Sequence, residues 1–124
     1  RARDGTPTGG ELLLGDINED HYDGELQYAP VIRKGYWEVK LDDFSIGDES
    51  LGMTGRAAID TGTSLIAVPS EVSEQINRMI GAKKGFRGVY TVDCESVAHL
   101  PPVTFTFGGR PFELKASDYI LQAQ

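Results

Sequence analysis

Cysteine is almost missing from this sequence: Cys94 stands alone among 124 residues, so no internal disulfide and no multi-cysteine metal cluster can form. It reads either as a buried thiol or as half of a bridge whose partner lies outside these residues. His21 and His99 are the only histidines, and neither is spaced with cysteine or carboxylates as a ligand set or a triad, so both read as surface residues and no metal or cofactor is expected. No apolar run approaches the roughly 20 residues a bilayer requires. Arg1 to Gly10 hold no hydrophobic stretch, which excludes a secretory signal or transit helix there. Basic charge is scarce as well. The net charge is −7, and residues 1–62 carry 6 Lys/Arg against 13 Asp/Glu while residues 63–124 carry 6 against 6. An acidic half of that kind repels nucleic-acid phosphates, and no basic stripe with interleaved aromatics offsets it. Neither nucleic acid nor membrane is an expected partner.

What is present is a soluble globular composition, 40% hydrophobic and 25% charged, sufficient for about one small domain. Asp4 to Gly10 reads as a surface turn, Glu11 to Leu14 as a short buried strand stopped by Gly15, and Asp16 to Glu25 as an acidic connection. Asp16, Asn18 and Asp20 match the opening of a calcium loop, but His21 stands where glycine is needed and Gln27 where the closing glutamate is needed, leaving a solvated acidic loop. Leu26 to Ile32 predicts another strand. Tyr36, Glu38 and Lys40 alternate with Trp37, Val39 and Leu41 as a half-buried strand does, with core packing the plain role for Trp37. Phe44 and Ile46 continue the strand, and Glu49 to Gly55 reads as a loop.

The one convincing helix begins at Ser70 as N-cap, presents Val72, Ile76, Met79 and Ile80 on one face, and stops at Gly81. Val89 to Val92, then Val103 to Phe107, predict strands, with Gly108 and Gly109 turning the chain into Phe112 and Leu114. The expected class is mainly β with one short helix.

Chemistry is concentrated in Asp60, Thr61, Gly62, Thr63 and Ser64, between the apolar pieces Ala57 to Ile59 and Leu65 to Val68. The pattern predicts a carboxylate at a turn between buried strands. Such a carboxylate needs donors: Gly62 lets a backbone N–H approach, and Thr61, Thr63 and Ser64 supply hydroxyls. An ordinary turn uses the same residue types, so the five residues alone leave both readings open.

The longer run from Ala58 to Ile66 resembles the second active-site motif of pepsin-like aspartic proteases. Gly9 to Gly15, Gly35 to Val39, Leu100 to Phe107 and Ser117 to Leu121 are similar to that family in the same order. The wording of Gly81 to Gly85, and the absence of cysteine from Ser50 to Arg56, are most similar to the family's fungal vacuolar branch (saccharopepsin-like). The resemblance implies an interior piece of a bilobal, mainly β acid protease: residues 1–19 closing the N-terminal lobe and the inter-lobe sheet, and residues 20–124 forming about the first two thirds of the C-terminal lobe.

It further implies an aspartic endopeptidase with Asp60 as one of two catalytic carboxylates. Like charges a few ångströms apart share one proton. The ionised member activates a water against the peptide carbonyl, and the protonated one protonates the carbonyl oxygen. On the same resemblance, Gly62 and Thr63 orient Asp60 and lie along the substrate, Thr61 ties this lobe to the other, Ser64 supports the pair, Tyr36 lines the cleft with Trp37 beneath, and Cys94 finds a disulfide partner outside the chain. The partners implied are a peptide substrate and the remainder of the same polypeptide, in a monomeric parent enzyme of an acidic vacuole or secreted. The other Asp-Thr-Gly, the flap tyrosine and the hydrophobic-hydrophobic-Gly strand after Asp60 are not in these residues; Leu13-Leu14-Gly15 precedes it. The 124 residues alone are therefore expected to be inactive. A homodimeric retropepsin-like protease and a non-catalytic β-rich binding or inhibitory module are the alternatives, the first disfavoured by the motif order.

Overall fold

The structure, a computed structural model, describes residues 11–122; the turn expected over Asp4 to Gly10 lies outside the described residues. Its centre is an extended run that changes sheets halfway. Strand β1 (Glu38–Leu41) pairs antiparallel with β4 (Gly55–Ala58), whereas β2 (Asp43–Ile46) pairs with β3 (Glu49–Ser50) on one side and β7 (Val103–Phe107) on the other, and β7 pairs with β8 (Arg110–Leu114). The physical cause of the switch sits at Asp42. Leu41 and Phe44 are both buried although they are three residues apart, which a period of two cannot produce. Asp42 is the extra residue: its N–H donates to Thr106 O at 2.9 Å, and its Oδ2 accepts the Gly109 N–H at 3.0 Å.

The β7–β8 turn follows from Gly108 and Gly109, at φ +58° and +77°, the left-handed pair a two-residue hairpin of type I′ demands. Leu41, Phe44, Ile46 and Val103 make the core. Phe44 is 1% exposed, and its ring lies 4.7 Å from that of Phe105 in a tilted pair. Helix α1 (Ser70–Met79) lays Val72, Ile76 and Met79 on this core, the face its spacing predicts. It ends in a Schellman motif: Gly81 at φ +68° donates to Arg78 O at 3.1 Å, and Ala82 N–H donates to Asn77 O at 2.8 Å. Ser70 is the first helical residue rather than the cap, because the carbonyl of Pro69 receives the Ser73 N–H at 2.9 Å.

Several sequence expectations are corrected. Glu11 to Leu14 is neither a strand nor buried; Leu12 is 86% exposed, since no other described segment offers it a ladder and an unpaired apolar strand has nothing to hold it. Leu26 to Ile32 is likewise irregular, touching β1 only through the Arg33–Glu38 bridge and the Ile32 N–H to Glu38 O bond of 2.9 Å. Glu49 and Ser50, expected in a loop, form β3. The strand over Val89 to Val92 shrinks to β6 (Tyr90–Thr91), paired with β5 (Lys83–Lys84) as a separate hairpin. A second helical turn, α2 (Ala116–Tyr119), escaped the sequence reading; the Tyr119 hydroxyl donates to Pro101 O at 2.7 Å and ties it to the segment entering β7. Strands still dominate, with α1 the one helix of length, and this agrees with a piece of the pepsin-like fold.

Candidate active site

Asp60 follows β4 by two residues. The ladder that holds β4 runs past its end: after Glu38 opposite Ala58, the Ile59 N–H donates to Trp37 O at 2.9 Å. The chain then reverses in a β-turn closed by the Thr63 N–H to Asp60 O at 3.3 Å.

Within that turn the carboxylate is held at both oxygens. Oδ1 accepts the Gly62 N–H at 2.9 Å, and Oδ2 accepts the Thr63 hydroxyl in a short hydrogen bond. Donors aimed at the charged form favour it. The Thr63 hydroxyl first, and the Gly62 N–H second, hold the Asp60 carboxyl below the usual carboxylate range, against a small opposing effect of desolvation. A Cβ built on Gly62 would lie 3.2 Å from Oδ1. Glycine is therefore what permits the close N–H approach, as the sequence implied.

Other expectations fare differently. Thr61 lies in the same turn and Ser64 directly after it, and among the described hydrogen bonds to the carboxylate the hydroxyl donor is that of Thr63. The flanks are not buried strands: Ile59, Leu65 and Ile66 are exposed, and residues 65–68 form no strand. Tyr36 and Trp37 are 74% and 73% exposed and occupy the turn before β1 rather than its first positions, so Trp37 has no place in the core. Both side chains are carried by the four-residue turn that the Arg33–Glu38 bridge closes. Val103, by contrast, is buried.

Cys94 opens a 3-10 turn (Cys94–His99) and is exposed and free; the buried-thiol reading is thus excluded. Among the described residues no group of His, Cys, Asp or Glu could hold a metal ion. The acidic loop resolves into a 3-10 turn (Glu19–His21) capped by Asn18, whose Oδ1 accepts the Asp20 N–H at 3.1 Å. His21 faces Glu11 at 3.5 Å.

One feature beside the site was hidden from the sequence. Glu38, which alternation placed with Tyr36 and Lys40, is buried, and its Oε1 meets Arg56 Nε at 3.2 Å across the β1–β4 ladder. Glu38 and Ala58 are neighbours only through a long-range register, and no local pattern signals such a pairing.

The model of the eukaryotic aspartyl protease family matches residues 3–124. Vacuolar protease A of Neurospora crassa is 45% identical over 114 residues, covering 91% of this chain and 29% of the relative. The vacuolar aspartic protease of Candida albicans is 46% identical over 116 residues, 92% of this chain and 27% of the relative. Cathepsin D of Mus musculus is 41% identical over 124 residues, 98% of this chain and 30% of the relative. The chain thus spans under a third of the length of these relatives. With nearly all of its residues inside the family match, including the Asp60 turn, the chain belongs to the eukaryotic aspartyl protease family.

Proposed function

We propose that these residues are part of an aspartic endopeptidase that hydrolyses peptide bonds at acidic pH, with Asp60 as one of its two catalytic carboxylates. The observation that carries the reading is the carboxylate's fixed orientation: each oxygen has a donor from its own turn, and the group remains open to solvent. A second carboxylate, supplied by residues of the same polypeptide outside these 124, faces Asp60 and shares a proton with it. A water between them loses a proton to the ionised member as it attacks the scissile carbonyl, and the protonated member donates to the carbonyl oxygen. Asp60, with its ionised form favoured by Thr63 and Gly62, is suited to carry the charge of the pair.

On this reading Tyr36 lines the substrate cleft, Gly62 and Thr63 lie along the peptide, Thr61 ties this lobe to the other, and Ser64 supports the pair. Residues 1–19 close the first lobe and 20–124 open the second. Cys94 is half of a disulfide completed outside these residues. The relatives named vacuolar protease A support an acidic, vacuole- or lysosome-like compartment, and the whole enzyme acts as a monomer. Hydrolysis of an unfolded protein substrate by the full-length protein is the test. Activity is expected below neutrality, with a bell-shaped pH profile and no response to chelators. A metal-dependent activity, or one that peaks at alkaline pH, contradicts the reading.

A further inference from the structure

Three separate segments meet at Glu38. Its backbone carbonyl accepts the Ile32 N–H at 2.9 Å and its backbone bridges Arg33, so it closes the turn that carries Tyr36 and Trp37. Its place in β1 is opposite Ala58, two residues before Asp60. Its side chain, 11% exposed, reaches diagonally across the ladder to the Arg56 guanidinium at 3.2 Å, while the Arg56 side chain is 59% exposed.

Among the described residues the β1–β4 sheet has two strands of four residues each and no third strand to fix its register. A slip of one residue would turn every side chain to the opposite face. A carboxylate withdrawn from water on such a ladder needs its cation, and a guanidinium on the facing strand satisfies it in one register only.

We infer that Glu38, locked by Arg56, is a positioning residue for Asp60 and Tyr36: the ion pair fixes the register of the β1–β4 ladder, whose ends lead into both. The inference rests on Asp60 being catalytic, as proposed above. Their effect passes through the ladder bond from Ile59 to Trp37.

The experiment uses the full-length protein and the variants Glu38→Gln, Arg56→Gln and Arg56→Lys, each measured for kcat, KM and the pH profile alongside Tm. Because small displacements of reacting groups carry large rate penalties, Glu38→Gln and Arg56→Gln are expected to lower kcat by about tenfold, and Arg56→Lys, which keeps a cation opposite Glu38, to recover most of it. The two limbs of the pH profile are also expected to draw together, since their separation reports coupling between the two carboxylates and a loosened ladder weakens it. A role confined to folding would leave that separation intact.

Arg56 is exposed enough for its glutamine variant to fold even where Glu38→Gln does not. Arg56→Gln with kcat, KM and both limbs within about twofold of the parent overturns the inference, whatever its Tm. A fall in kcat with unmoved limbs, or one that Arg56→Lys fails to recover, overturns it as well. Asp60→Asn separates the two claims: if that variant keeps its activity the catalytic reading fails, and if it is inactive while the pair variants are normal, only the positioning role does.

Discussion

Gly62→Ala perturbs the Asp60 turn at the point where its geometry is tightest. The Gly62 N–H donates to Asp60 Oδ1 at 2.9 Å, and the added methyl would sit 3.2 Å from that same oxygen, closer than a carbon ordinarily approaches one. The neighbour that must yield, by a few tenths of an ångström, is the carboxylate itself. Its other oxygen is tied to Thr63, so the contact is relieved by twisting the carboxylate out of the orientation its turn sets.

A misplacement of about 1 Å can cost on the order of a hundredfold in rate, so a few tenths should cost about three- to tenfold in kcat for the full-length protein. KM should change less. The turn is exposed and Gly62 is not in a left-handed conformation, so Tm should stay within about 2 °C of the parent. Steady-state kinetics at acidic pH with a parallel thermal melt makes the check. An unchanged kcat would refute the claim that this turn sets the carboxylate's orientation, as would a fall in Tm of many degrees with the folded fraction fully active.

Thr63→Val removes the main cause of the lowered Asp60 carboxyl, so the acid limb of kcat/KM should move to higher pH, and a limb that stays put contradicts the assignment. The same depression means that Asp60 favours the folded state above its unfolded pKa and that this contribution is lost as pH falls through the folded value; thermal melts of parent and variant should therefore converge in strong acid. Phe44→Ala opens the centre of the core and should cost about 3–5 kcal/mol in a denaturant titration. Gly81→Ala meets open space but keeps φ +68°, so its cost should be the left-handed strain alone, about 1–2 kcal/mol. The 124 residues by themselves should hydrolyse no peptide above background.

Where an element is decided by its own residues, the sequence was a sufficient guide. Gly81 stops α1, Gly108 and Gly109 turn β7 into β8, and Val72, Ile76 and Met79 share the face that packs on the core. The Asp60 turn is equally local, with its donors two and three residues away, so the cradle is legible in the sequence. Long-range registers were the illegible part. The apolar stretches at Leu12 to Leu14, Leu26 to Ile32 and Leu65 to Val68 have the composition of strands, but composition does not supply a partner. Trp37 was placed inside by alternation and lies outside because the bridge from Arg33 to Glu38 closes a turn beneath it. The same bridge and the β4 register bury Glu38 against Arg56, a pairing that exists only once the two strands have met.

Asp60→Asn in the full-length protein is the most direct test of a catalytic Asp60. Asparagine keeps the shape, and its Oδ1 can still accept the Gly62 N–H while its Nδ2 donates to the Thr63 hydroxyl oxygen, but it cannot take a proton from water. Peptide hydrolysis at acidic pH should fall by about a thousandfold or more while the thermal melt remains cooperative. Retention of substantial activity in a folded Asp60→Asn protein would contradict the assignment of Asp60 as a catalytic carboxylate.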